Sequence, residues 1–179
     1  MCNKIALIGL SKSGKDYLYQ NVFKPLGYER LSFSDQLKKV AKNVFPWMKL
    51  DYSSEQKEKS LFLHTGFDLI EKSPRDIWIF FNQLKEIEPN IFVRMLDEEW
   101  KRKGFKKVVI TDVRFRNEWD YCNMHGFLFI RIKSPGETIQ YEIEKETDAL
   151  PYDYVFFNEK KGEKSIKDFQ TFLSERFII

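Results

Sequence analysis

Gly9, Gly14 and Lys15 stand in the run Gly-Leu-Ser-Lys-Ser-Gly-Lys-Asp, residues 9–16, directly after the apolar stretch Ile5-Ala6-Leu7-Ile8. Gly-x-x-x-x-Gly-Lys between a strand and a helix is the spacing of a loop that binds phosphate. The glycines let the backbone N–H groups of Ser11, Lys12 and Ser13 turn inward, and the following helix aims its positive dipole end at the same point. Lys15 would bridge the terminal phosphates of a bound nucleotide. The next position normally carries a hydroxyl that holds Mg²⁺, and here Asp16 takes that slot. A plain glycine turn before a helix explains neither the apolar run nor the lysine.

Two further polar clusters fall where strands end, which is where open parallel sheets bind ligands. Asp112-Val113-Arg114 follows the apolar run Val108-Val109-Ile110-Thr111. Asp112 there suits Mg²⁺ or a nucleotide hydrogen bond; the alternative is a strand-end turn or a helix cap. Arg114 has the planar fork that suits phosphate, the alternative being an ion pair with Asp112 or Glu118. Ser34-Asp35 follows a strand expected over 28–33, and on the pattern alone Asp35 reads as a helix cap. Arg75, in Ser73-Pro74-Arg75 at the start of a helix, is a phosphate-clamp candidate or a solvated first-turn residue.

These clusters need a scaffold that brings strand ends together. Strands are expected at 5–9, 28–33, 107–111, 127–132 and 154–157, alternating with helices near 15, over 37–44, opening at 73–75, after Pro89, at 118–125 and at 165–177. That alternation predicts a parallel sheet covered on both faces. The 179 residues fit one domain, residues 1–179, enough to bury roughly 70% of the unfolded surface. A charged segment, 51–72, with Leu61, Phe62, Leu63 and Phe67 as anchors, reads as part of a helical insert. Trp47 or Phe67 in that insert is suited to stack on a base.

The net charge of +3 is spread along the chain without a basic block, which argues against nucleic acid and leaves anionic small molecules as partners. Cys2 and Cys122 are too few and too far apart for a disulfide framework or a zinc site. No stretch approaches transmembrane length, and the short first apolar run is not a secretory signal. A cytoplasmic protein is expected, in the host cytoplasm if the source is viral. His64 and His125 have no partner spacing.

Gly-Lys-Asp at 14–16, Leu-Ser-Phe-Ser-Asp at 31–35, Ser-Pro-Arg-Asp at 73–76, Asp-Val-Arg-Phe-Arg-Asn-Glu at 112–118 and Leu-Pro-Tyr-Asp-Tyr-Val-Phe-Phe-Asn at 150–158 occur here in order. Together they resemble the bacteriophage-type deoxynucleoside monophosphate kinases over nearly the whole chain. The resemblance implies a P-loop three-layer α/β/α fold with a five-stranded parallel sheet, a helical acceptor-side insert about 35–100 and a lid about 134–151. It implies transfer of the γ-phosphate of ATP, with Mg²⁺, to a deoxynucleoside monophosphate. Lys15 and the loop would hold the donor, Asp16 and Asp112 the metal, and Asp35, Arg75, Asp112 and Arg114 the acceptor. Asn158 falls near the donor base, with a turn residue as the alternative reading.

Three departures accompany the resemblance. Tyr17 replaces a threonine, Phe80-Phe81-Asn82-Gln83 replaces a Leu-Gly-Thr stretch, and the lid carries Glu137, Glu142, Glu144, Glu146 and Asp148 with Lys145 its only base. An acidic lid moves the task of neutralising phosphate to Arg114, Arg116 or Arg131, the last at the lid's root. A P-loop kinase of a dephospho-coenzyme A-like or phosphomevalonate-like acceptor and a non-catalytic ATP-binding regulator are the alternatives. A homodimer is left open.

Overall fold

The computed structural model describes residues 2–53, 55–61, 72–139 and 142–176. Its strands are β1 (Lys4–Ile8), β2 (Glu29–Leu31), β3 (Val108–Val113), β4 (Leu128–Lys133) and β5 (Tyr154–Phe157). They form one five-stranded sheet in the order β2-β3-β1-β4-β5, and every pairing is parallel. Strands buried on both faces read as continuous apolar runs. Thus Ile5 to Ile8 are all 0% exposed and β3 is buried throughout. β1 lies at the centre, where the strand order reverses, so the loop after it sits at the sheet's switch point.

The helices are α1 (Lys15–Leu18), continued by a wider π turn over Tyr19–Phe23, α2 (Phe33–Val44), α3 (Pro74–Asn82), α4 (Leu84–Ile87), α5 (Ile91–Lys103), α6 (Arg116–Met124), α7 (Glu142–Ala149) and α8 (Glu163–Arg176). On one face of the sheet Ile5, Leu7, Val109, Ile130 and Ile132 pack with Leu18, Val22 and Phe23 and with Phe169, Phe172 and Leu173 of α8. Successive strand residues face opposite ways. Accordingly Phe129, the neighbour of Ile130, meets the other helical layer, where Trp119 of α6 stacks on it at 4.9 Å. The result is the three-layer α/β/α arrangement. Among the described residues no helix is long and apolar enough to cross a membrane.

The chain divides into two compact units, residues 1–33 with 96–179, and residues 34–95. The second has its own core of Leu37, Ala41, Met48, Ile77, Phe81 and Phe92. Phe62, Leu63, His64 and Phe67 lie outside the described residues. Ser34 and Asp35, expected as a cap, are inside the first turn of α2, which begins at Phe33. At α3 the expected proline is at the first position, and Ser73 and Asp76 cap reciprocally. The Ser73 hydroxyl accepts from the Asp76 N–H at 3.1 Å, and the Asp76 carboxylate accepts from the Ser73 N–H at 3.0 Å. Ser73→Ala removes one half of this box and should cost about 1 kcal/mol, read as a lower urea midpoint at unchanged m-value.

Two differences from the sequence expectation bear on function. β3 does not stop at Thr111 but runs on through Asp112 and Val113. Its register against β1 passes from Ala6–Ile110 to Ile8–Val113, so β3 holds one extra residue across Thr111–Asp112. Such a bulge re-aims side chains locally. The second is that the segment expected as a lid, about 134–151, contains an eight-residue helix, α7.

Candidate active site

The loop from Gly9 to Asp16 is built by close approaches that only glycine allows. A Cβ on Gly9 would lie 2.5 Å from the Ile132 carbonyl oxygen. Gly14 has φ +94°, and a Cβ there would lie 2.3 Å from Nδ2 of Asn158. Lys12 also adopts a left-handed backbone, φ +63°, without being glycine. Strain of that kind costs about 1–3 kcal/mol and collects at functional loops.

Lys15, 8% exposed, opens α1 and folds back over the loop. Its Nζ donates to the carbonyls of Gly9 at 2.7 Å and Leu10 at 2.8 Å and to Oγ of Ser13 at 3.0 Å. Burial first, and then the positive charge of Arg114, lower its pKa to about 8 against the pull of Asp16, Asp112 and Glu137. The ammonium is therefore held at the centre of the loop in a partly desolvated place, where an added anion would be welcome.

Asp112, 8% exposed, accepts from the Ser32 hydroxyl at 2.8 Å and from the Phe33 N–H at 3.0 Å. It thus ties the end of β3 to the start of α2. Arg114 is exposed and its guanidinium has no ion pair among the described residues. The alternative of a salt bridge to Glu118 does not form. Glu118, 3% exposed, instead accepts the backbone N–H groups of Arg114 at 2.9 Å and Phe115 at 3.2 Å.

The other two arginines are engaged elsewhere. Arg116 pairs with Asp120 at 2.9 Å and lies 4.7 Å over the Trp119 ring. Arg131, 1% exposed, pairs with the Asp148 carboxylate and donates to the Asp148 carbonyl at 2.9 Å, and its Nε is buried without a partner. Asn158, 2% exposed, donates from Nδ2 to the Ser13 carbonyl at 2.9 Å, so its amide braces the loop from below.

Two contacts had no signal in the sequence. Arg30 of β2 donates through Nε to Thr111 at 3.0 Å and lies 3.6 Å from Asp16, whose side chain is 80% exposed. Glu144 of α7, 7% exposed, accepts the Ser11 N–H at 3.3 Å. Both join segments that only the folded topology brings together. A cavity of about 110 Å³ beside the loop is lined by Ser11, Lys12, Ser134, Glu137, Glu144 and Lys160, among others. A larger open recess of about 440 Å³ adjoins Leu10, Pro135, Ile139 and Phe157.

Asp35 and Arg75 belong to the second unit. Asp35 lies 3.4 Å from Lys38, and Nζ of Lys38 is 5.3 Å from the centre of the Trp78 ring. Arg75 pairs with Glu58 at 2.8 Å. Trp47 is 45% exposed, with its ring edge against Phe45.

A parallel sheet of this order, with a glycine-and-lysine loop at its switch point, defines a three-layer α/β/α protein with a P-loop-like fold. No family model matches the chain. It is 31% identical over 182 residues to a protein of Acanthamoeba polyphaga mimivirus named "Putative deoxynucleotide monophosphate kinase", covering 89% of this chain and 90% of that one. The chain belongs to the deoxynucleotide monophosphate kinase family, and its chemistry is that of a phosphotransferase. Among solved structures, an unliganded sugar kinase from a Janibacter species matches with a TM-score of 0.46 at 12% identity, covering 97% of this chain and 95% of that one.

Proposed function

We propose that the protein transfers the γ-phosphate of ATP to a deoxynucleoside monophosphate, giving the diphosphate. The observation that carries this is Lys15, a buried ammonium held by the oxygens of Gly9, Leu10 and Ser13 within the glycine-bounded loop. Likeness to a protein named as a deoxynucleotide monophosphate kinase supports that class of acceptor. The recess walled by Leu10, Pro135, Ile139 and Phe157 beside the loop suits a flat purine base. That reading gives Asn158 the support of the loop, and the base the apolar walls next to it.

Mg²⁺ in phosphoryl-transfer sites keeps most of its waters and takes only one or two carboxylates with the phosphates. Asp16, with its exposed carboxylate at the loop's end, and Asp112 fit that requirement. Among the described residues no group of three or more acidic, histidine or cysteine ligands forms, so a dedicated protein cage is not what this site offers. When bound, the ion would neutralise charge on the phosphate oxygens.

The protein's own part is positioning and charge. The loop N–H groups and Lys15 would hold the donor's phosphates, and Arg114, whose guanidinium is exposed and without an ion pair among the described residues, is the arginine available to the phosphoryl group in transfer. An acceptor phosphate oxygen would attack the γ-phosphorus in line as the bond to the β-phosphate oxygen breaks. Arg131 then acts as the strut of α7. Asp35 and Arg75 are assigned to the acceptor.

The test is a coupled assay with ATP over the common deoxynucleoside and ribonucleoside monophosphates, with dephospho-coenzyme A and phosphomevalonate alongside. One or more deoxynucleoside monophosphates should be phosphorylated with the highest kcat/KM. Turnover of a non-nucleotide acceptor alone, or ATP binding with no turnover on any of them, would overturn the proposal.

A further inference from the structure

The phosphate loop meets an acid from its own lid. Glu144 is almost fully buried, and its carboxylate accepts the N–H of Ser11, one of the groups assigned to the donor's phosphates. It is not a loose side chain that happens to reach the loop, because α7 is fastened on three sides. The Thr147 hydroxyl donates to the Arg114 carbonyl at 3.2 Å, and the Arg116 N–H donates to Glu146 at 3.0 Å. The Arg131 guanidinium holds the Asp148 carboxylate and carbonyl, and just beyond the helix Trp119 donates to the Pro151 carbonyl at 2.9 Å. The cavity that Glu144 lines also takes in Lys12 and Lys160, both with left-handed backbone at φ +63° and +58°.

A carboxylate and a phosphate are both anionic acceptors for a backbone N–H. Two anions within a few ångströms of one N–H repel, so only one can hold it. Resting on the reading of residues 9–16 as the donor's phosphate loop, we infer that Glu144 is an internal competitor of the donor polyphosphate. Its carboxylate takes the Ser11 N–H whenever α7 is docked, and seating the phosphates requires it to withdraw. The acidic lid, with Lys145 its only base, is then a gate whose key contact is Glu144. Affinity for any polyphosphate is lowered by the fraction of time that the contact is made. A contact held nine-tenths of the time lowers it ~10-fold.

The experiment is calorimetric titration of the full chain with ATP and, separately, with inorganic tripolyphosphate, which carries the charge without the base. The variants are Glu144→Ala, Glu144→Gln and, as a control for net charge, Glu163→Gln at the exposed start of α8. Both Glu144 variants should bind both ligands more tightly, Glu144→Ala by ~10-fold for a contact held nine-tenths of the time, while Glu163→Gln binds as the parent does. Glu144→Gln keeps the size of the side chain and an oxygen for Ser11, so the idea stays testable if the alanine variant folds poorly. Unchanged or weaker binding in the two Glu144 variants, or equal tightening by Glu163→Gln, would overturn the inference while leaving the phosphate loop intact. Failure of parent and variants alike to bind either ligand would overturn the phosphate-loop reading and this inference with it.

Discussion

Lys15→Met is expected to lower phosphoryl-transfer turnover by ~10²–10³, the loss that follows removal of one preorganised charge from a transfer site. The fold should survive, since the sheet and its two helical layers do not use the lysine. The same variant gives a signature that an unfolding artefact would not. Burial depresses the folded-state pKa of Lys15 from 10.5 to about 8. Between those values the unfolded chain keeps the lysine's proton and the folded chain releases it, so folding becomes more favourable as pH rises. Below pH 8 both states are protonated and the cost of burying the charge is fully felt. Hence the stability of the parent relative to Lys15→Met should increase by about 3 kcal/mol from pH 8 to 10.5, as urea titrations at several pH values would read it. A flat difference across that window would mean that the ammonium is solvated. Retention of near-normal turnover by Lys15→Met would remove the loop from the catalytic centre.

How much of the structure is legible in the sequence depends on how local each determinant is. β1 and β3 are read easily because strands covered on both faces must be apolar without interruption. Ser73 and Pro74 open α3 as expected because capping is settled within four residues. The glycine–lysine spacing has the same local character. Expectations that needed tertiary knowledge came out differently. Arg131 looks from its position like a cation at the lid's root, yet it sits on a central-sheet strand and is buried, so its charge is compensated by Asp148. Asp112 was legible as a strand-end acid, but the extra residue in β3 that directs it to Ser32 and Phe33 leaves no mark on hydrophobic pattern. Arg114 and Glu118 are four apart and of opposite charge, which suggests an ion pair. The carboxylate goes instead to backbone N–H groups at the start of α6, because those must be satisfied once buried. Glu144 and Ser11 are 133 residues apart, and no local rule could pair them.

Gly14→Ala should disable the loop through one clash and one backbone strain, and the clash can be isolated. The new methyl would sit 2.3 Å from Nδ2 of Asn158, and the φ of +94° is one that alanine resists. Asn158 cannot simply move aside. Its Nδ2 donates to the Ser13 carbonyl, its backbone N–H donates to Lys133, and its Oδ1 accepts from the Lys160 N–H. Displacing it would leave a buried carbonyl and amide unpaired, at about 1–3 kcal/mol, in addition to about 1–2 kcal/mol for the left-handed alanine. Asn158→Ala alone loses the brace but not the space, so it should loosen the loop and weaken ATP binding less than Gly14→Ala does. In the double variant the clash disappears while the backbone strain remains. The two effects should therefore be less than additive by 1 kcal/mol or more, on the order of the coupling seen between residues in contact. Calorimetric ATP affinity and urea stability of the four proteins in the cycle would measure it. Additive losses would mean that Gly14 acts through its backbone conformation alone and that Asn158 holds the loop from a distance.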